Sequence, residues 1–442
     1  MINSGISRQI RLDATVIFFF IITFRLPQLL SPTLNLLISL TIAALLAIYA
    51  GFIVFRNKFV MKHVSKPRLL LVTLYLCLEM LSFLRAGMVQ AIDFYTLLKT
   101  SGLAITLSIF ILFSTSNMRS KEDLSFFMRV IIYGFAVLAV ENLILYLAGV
   151  GSFQTGAEYS ISSIGVLMNA LGLEVTAAIY GLESGPKALG SVLIFLVAGS
   201  LIFMKEDKNK ITFLPIFLVC SGMIIVSDAR FYSMMILLLI LVLAFYNMLV
   251  TKKALQLYIL LYPFVPVLLL VIAGYLADLP GFDIVARNAS DNISTLSNRT
   301  LVWAAIGDEI LEANLQLIHG YGAAGTVNSG INNEISYVFA GGWENTGVKT
   351  AHNSIFQILL DKGIIGLLVF IALLRSLLMT YHSSDSLESR AFLYGILVLM
   401  LSSSTNTLFY YAGIEGYVLF LMVVGLHLST FFDAGLCAEK IG

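Results

Sequence analysis

Apolar stretches of about twenty residues recur along almost the whole of this chain, and each is long enough to cross a bilayer as a helix. That pattern leaves little else for the chain to become. Only 12% of its 442 residues are charged, against about 25% in soluble domains, and the mean hydropathy is +0.92. The chain therefore reads as an all-α, polytopic helical membrane protein. About twelve spans are expected, at residues 12–31, 34–55, 69–85, 93–114, 125–148, 187–204, 211–227, 231–250, 254–277, 355–381, 391–409 and 411–431. No small-residue cleavage site follows the first apolar run, so span one is expected to be an uncleaved signal anchor.

Sidedness follows from Lys and Arg in the short connections. Arg8 and Arg11, the group from Arg56 to Arg68, Arg119 and Lys121, Lys205 to Lys210, Lys252 and Lys253, and Arg390 all fall on one side of such a topology. That side is expected to be cytoplasmic, with both termini on it. The other side then carries two long connections. One covers about 149–186 and is rich in Gly, Ser and Ala; the larger covers about 278–352. The chain divides accordingly into residues 1–277 (spans one to nine), the outer loop 278–352, and residues 353–442 (spans ten to twelve). Within the large loop, residues 299–318 read as an amphipathic helix with Asn298 as its N-cap, stopped at His319-Gly320-Tyr321-Gly322.

A net charge of +1 and the lack of a basic tract give no reason to expect a nucleic-acid partner. Cys77, Cys220 and Cys437 have no metal-ligand spacing and suggest no disulfide framework. The outer-loop carboxylates are scattered, with neither an Asp-x-Asp nor a His-rich cluster, so no metal site and no cofactor is expected.

Histidines on the outer side are few. Of five histidines, only His319 and His352 fall there. His352 opens the segment AHNSIFQILLDKGIIGLLVF (351–370), where a hydrophilic stretch enters the membrane. An imidazole, with an ordinary pKa of about 6.5, suits proton transfer at such a place, but it equally suits capping of span ten. His319 fits a C-cap. Arg230 follows Ser227-Asp228-Ala229 at the mouth of a tight hairpin, Arg299 opens the amphipathic helix with Trp303 one turn along, and Arg287 lies nearby in sequence. A guanidinium that forks onto two oxygens is suited to phosphate, whereas pairing with Asp228 or Asp291 is the plainer role. Glu79 and Lys99 lie inside spans at similar depth, which suggests a structural ion pair or, alternatively, part of a proton path.

Three segments together resemble the bacterial O-antigen ligase/polymerase family of integral membrane proteins. SDARFYSMMILLLI (227–240) is similar to its Ser-Arg-small-apolar element. NRTLVWAAIGDEILEANLQLIHGYG (298–322) is similar to its Arg-x-x-x-Trp helix, and AHNSIFQILLDKGIIGLLVF to its His-Asn-Ser helix with paired glycines, here Gly363 and Gly366. The resemblance implies a metal-independent, inverting glycosyltransferase on the periplasmic face of the bacterial inner membrane. Its donor would be a glycan on undecaprenyl pyrophosphate. By match of motif, Arg230 and Arg299 would bind the pyrophosphate and His352 would act as the base; Arg287, Asn353 and Trp303 are further candidates. Two acceptors fit. A polymerase would join lipid-linked repeat units of O-antigen, capsule or exopolysaccharide, with a chain-length regulator as a partner. A ligase would move the glycan to the lipid A core of lipopolysaccharide or to another acceptor. A transporter or flippase is the reading from a different class, and the clustering of the distinctive residues at one face weighs against it.

Overall fold

A computed structural model describes residues 6–24, 32–58, 60–89, 94–148, 186–207, 210–226, 230–244, 250–268, 271, 299–312, 315–331, 350–404, 406–408 and 414–435. The helices are α1 (Arg8–Thr23), α2 (Pro32–Arg56), α3 (Lys66–Met88), α4 (Phe94–Asn117), α5 (Lys121–Leu147), α6 (Pro186–Glu206), α7 (Leu214–Val226), α8 (Arg230–Ala244), α9 (Lys252–Leu261), α10 (Arg299–Leu311), α11 (Gln316–His319), α12 (Gly325–Asn328), α13 (Ser354–His382), α14 (Leu387–Ser403) and α15 (Ile414–Leu426). Each expected span overlaps one of them, and the parts of these spans at residues 25–31, 245–249 and 272–277 lie outside the described residues. Among the described residues, six helices are long and apolar enough to cross a membrane. The protein is a polytopic helical membrane protein.

Polar residues at helix starts set the boundaries. Ser7, Thr251 and Ser386 each accept a hydrogen bond from the amide three residues on, as N-caps do. The α6 helix is the hub: it is buried along most of its length and packs against α5, α7, α8, α14 and α15. By contrast, α2 leaves Leu45, Ile48, Phe52 and Phe55 exposed, as a helix facing lipid does. The basic connections gather at one end. There the Lys62 amide donates to Ser116, Arg68 donates to the carbonyls of His427 and Ser429, and Arg390 pairs with Glu206 at 2.7 Å. His352 and the start of α13 lie at the opposite end.

Three expectations change. The amphipathic helix over 299–318 is divided into α10 and α11. The Glu312 amide still closes the last turn of α10 onto the Asp308 carbonyl at 3.0 Å. Residues 313 and 314, which come between the two helices in the chain, lie outside the described residues. In span eleven the helix ends at Ser403, and the carbonyls of Ser404 and Asn406 accept hydrogen bonds from Asn353 and Ser354 at the start of α13.

The third change is the largest. Helix α13 is broken at Gly363 (φ 70°, ψ −170°), so it consists of two arms. The long arm of about nineteen residues rises roughly 28 Å, close to the thickness of a hydrocarbon core. At the break, the Tyr321 amide donates to the Leu360 carbonyl at 2.6 Å and the Gly322 amide to the Asp361 carbonyl at 3.0 Å. Two backbones touch there. A Cβ on Gly363 would sit 2.4 Å from the Ile318 carbonyl, and one on Gly320 (φ 78°) 2.4 Å from the Asp361 carbonyl carbon. Beside the break Lys362 forms a buried ion pair with Glu79, and its ammonium lies 4.7 Å from the centre of the Tyr75 ring. Glu79 thus has Lys362 as a partner; the Lys99 side chain is outside the described residues.

Gly363→Ala is expected to destabilise the protein by roughly 2 kcal/mol or more, from left-handed strain plus overlap. Gly102→Ala, where nothing lies within 4 Å of the added carbon, serves as the control and should hold or gain stability. Thermal unfolding in detergent checks both, and equal midpoints for the two variants would contradict the account.

Candidate active site

Helix α13 starts at an asparagine cap. The Asn353 carboxamide oxygen accepts from the amides of Ile355 (2.8 Å) and Phe356 (3.1 Å), and its nitrogen donates to the Ser404 carbonyl at 2.6 Å. Capping of this helix therefore falls to Asn353. His352, the residue before, has φ 51°, a left-handed backbone that costs a non-glycine residue on the order of 1 kcal/mol. Its Nδ1 lies 3.5 Å from the Thr350 hydroxyl, and the residue is half-buried. On the other flank, both backbone groups of Ala351 are held by side chains. Its amide donates to the Gln357 oxygen at 2.8 Å, and its carbonyl accepts from the Trp303 indole at 2.8 Å.

Trp303 connects this turn to α10. Buried with Val302, Ile306, Leu317, Tyr321, Phe356 and Leu360, it belongs to a small apolar core that joins α10 and α11 to the short arm of α13. Four residues earlier, one helical turn along the same face, is Arg299. Its guanidinium acts electrostatically on the phenol of Tyr232, which stands two residues into α8 after Arg230. The Tyr232 hydroxyl accepts from the Asn406 carboxamide at 3.2 Å, and the Asn406 carbonyl accepts from the Ser354 hydroxyl at 3.0 Å. So Arg299, Tyr232, Asn406, Ser354 and His352 form one neighbourhood made from four separate stretches of chain. Gly190 of α6 leaves room for the Tyr232 ring, which a Cβ would meet at 2.5 Å.

The first residue of α8 is Arg230, so its backbone stands at this end of the bundle; its side chain is outside the described residues, as is Arg287 entirely. His319 is the last residue of α11, with Gly320 as the cap residue. Its Nδ1 lies 2.7 Å from the Arg85 guanidinium, which also donates to the Gly320 carbonyl. The Tyr321 hydroxyl donates to Glu309 of α10. Burial first, and then the carboxylates of Glu309 and Glu312, push that phenol above its ordinary range. Among the described residues, no three His, Cys, Asp or Glu side chains gather as a metal would require.

Tyr232, Asn406, Gln357 and Asp361 were not among the residues singled out from the sequence. A signal for two of them was present: Asn353, Gln357 and Asp361 recur every fourth residue along one face of an apolar helix. Asn406 lies in the polar run Ser402-Ser403-Ser404-Thr405-Asn406-Thr407 near the end of an apolar one.

No curated protein matches this chain. Residues 213–371, which carry Arg230, Tyr232, Arg299, Trp303, His352 and the break of α13, match the family model described as O-antigen ligase, so the bacterial O-antigen ligase/polymerase family is the one that this stretch resembles both motif by motif and as a whole.

Proposed function

We propose that this membrane protein transfers a glycan from polyprenyl pyrophosphate to the hydroxyl of a second glycan, with His352 as base and Arg230 and Arg299 as the pyrophosphate site. The observation that carries this reading is the fixed turn at His352, tied by Trp303 to the helix that begins with Arg299. An acid–base residue and a cation held at one end of the bundle suit this chemistry. In the proposed step the imidazole takes the proton of the acceptor hydroxyl while its oxygen attacks the anomeric carbon from the face opposite the leaving group. The bond from that carbon to the pyrophosphate oxygen breaks, the lipid pyrophosphate departs with the electron pair, and the configuration inverts. Guanidinium groups aimed at the leaving oxygens stabilise the charge that develops there.

The His352 end is taken as periplasmic and the basic end as cytoplasmic, by the rule that positive loops stay inside. The protein would then lie in the bacterial inner membrane with both termini inside. The acceptor defines two activities. Our first reading is a polymerase, which extends one lipid-linked repeat unit with another and works beside a chain-length regulator. The second is a ligase that delivers a finished chain to lipid A–core or another acceptor, and the matching family model is compatible with either activity. Purified protein given only lipid-linked single units distinguishes them: a ladder of longer products supports the polymerase, and unchanged substrate that is consumed once lipid A–core is added supports the ligase.

His352→Ala is expected to lower turnover by about a thousandfold, the middle of the range for loss of a general base, without loss of folded protein. In cells, continued export of unextended units would fit an enzyme, whereas units stranded inside would contradict this proposal and point to transport. Arg299→Lys and Arg230→Lys should each lower activity by about tenfold or more, because lysine keeps the charge but loses the bidentate fork. Near-normal product length in both would remove the pyrophosphate assignment. Activity of the purified protein is expected to survive EDTA unchanged; loss that added magnesium restores would contradict the metal-independent reading.

A further inference from the structure

We infer that Gln357, backed by Asp361, is a positioning residue for His352, an assignment that rests on the base reading above. Both side chains are buried, at 1% and 3% exposure, yet neither reaches the outer surface where an acceptor would lie. What they hold is the backbone next to His352. The Gln357 oxygen accepts from the Ala351 amide at 2.8 Å, and the same carboxamide donates through Nε2 to Asp361 Oδ1 at 2.8 Å. That Oδ1 also accepts from the Gly325 amide at 2.8 Å, in the turn that starts α12. The Asp361 carbonyl, in turn, accepts from Gly322 and from the Ser82 hydroxyl.

A continuous hydrogen-bonded path therefore runs from the break of α13 to the residue that precedes His352. Its polarity is defined. An amide N–H of Ala351 requires an oxygen at Gln357, which turns the carboxamide nitrogen toward Asp361, and Asp361 supplies the matching acceptor. Neither regular helix nor sheet bonding fixes the left-handed turn at His352; side chains do, from Gln357 and Trp303 on one flank and Asn353 on the other. Loss of the Gln357 bond leaves the Ala351 amide without that acceptor and lets the imidazole move. A displacement of about 1 Å is enough to cost turnover heavily, while the donor site at Arg299 is untouched.

Two kinds of role for Asp361 are separable. If it positions, only its acceptor oxygen matters, and an amide in its place works. If its charge serves the reaction, jointly with the neighbouring Lys362 and Glu79, an amide fails. The test uses full-length protein in detergent or nanodiscs with a lipid-pyrophosphate glycan donor, and reads kcat, KM and thermal midpoint for Gln357→Met, Asp361→Asn, His352→Ala and the double variant Gln357→Met/His352→Ala. Gln357→Met is expected to lower kcat by about 30- to 100-fold with KM for the donor within about twofold, and Asp361→Asn to stay within about threefold of the parent. In the His352→Ala background, Gln357→Met is expected to cost nothing further, because a positioning residue has no work once its target is gone. An unchanged kcat in Gln357→Met, a full additional loss in the double variant, or an inactive but folded Asp361→Asn would overturn the positioning role. If His352→Ala itself remains active, the base reading fails and takes this inference with it; an inactive His352→Ala beside a normal Gln357→Met overturns the positioning role alone.

Discussion

A backbone carbonyl left bare in hydrocarbon costs several kcal/mol, and that constraint governs how this protein can break a helix. At Gly363 the helical path of α13 is interrupted, and the carbonyls of Leu360 and Asp361 take the amides of Tyr321 and Gly322. The interruption and the segment that seals it are one device. Glycine is required on both sides of the contact, because any Cβ at 320 or 363 would overlap the opposite backbone. The ion pair of Lys362 with Glu79 sits next to this seal, so two charges that are costly in a membrane are spent together where the chain already departs from a straight helix.

The consequences reach the candidate site. By sealing the break, residues 320–322 fix α11 against α13, and the apolar core around Trp303 and Leu317 then fixes α10 on the same arm. Arg299 and His352 lie more than fifty positions apart in the chain, yet the Trp303 indole bonded to the Ala351 carbonyl gives them a defined relation. The strained turn at His352 persists because its neighbours over-determine it: Ala351 is held at both backbone groups and Asn353 at both ends of its side chain. Local strain maintained by surrounding bonds is common where a side chain must be presented in one direction.

Much of this architecture was legible in the sequence, for reasons that differ by element. Apolar runs report helices directly, so every expected span has one, and Lys and Arg marked the connections that the structure gathers at the end away from His352. The Arg299–Trp303 spacing showed a shared helix face. What the sequence hid was tertiary. A glycine in an apolar helix reads the same whether it lies in a straight segment, as Gly102 does, or in a break, as Gly363 does; only the approach of Gly320 from elsewhere distinguishes them. Lys362 was likewise invisible as the partner of Glu79, since the two are far apart in the chain. Tyr232 and Asn406 became relevant only once α8 and the end of α14 were seen to meet the start of α13.

The central claim is that donor pyrophosphate and acceptor hydroxyl meet at the end of the bundle where Arg299 and His352 stand. The most direct measurement is a cryo-EM structure of the protein with a polyprenyl-pyrophosphate glycan bound. The account predicts pyrophosphate oxygens within hydrogen-bond distance of the Arg299 guanidinium, with the anomeric carbon on the side of the His352 imidazole. Pyrophosphate bound at the opposite end, among the basic connections near Arg68 and Arg390, would contradict it.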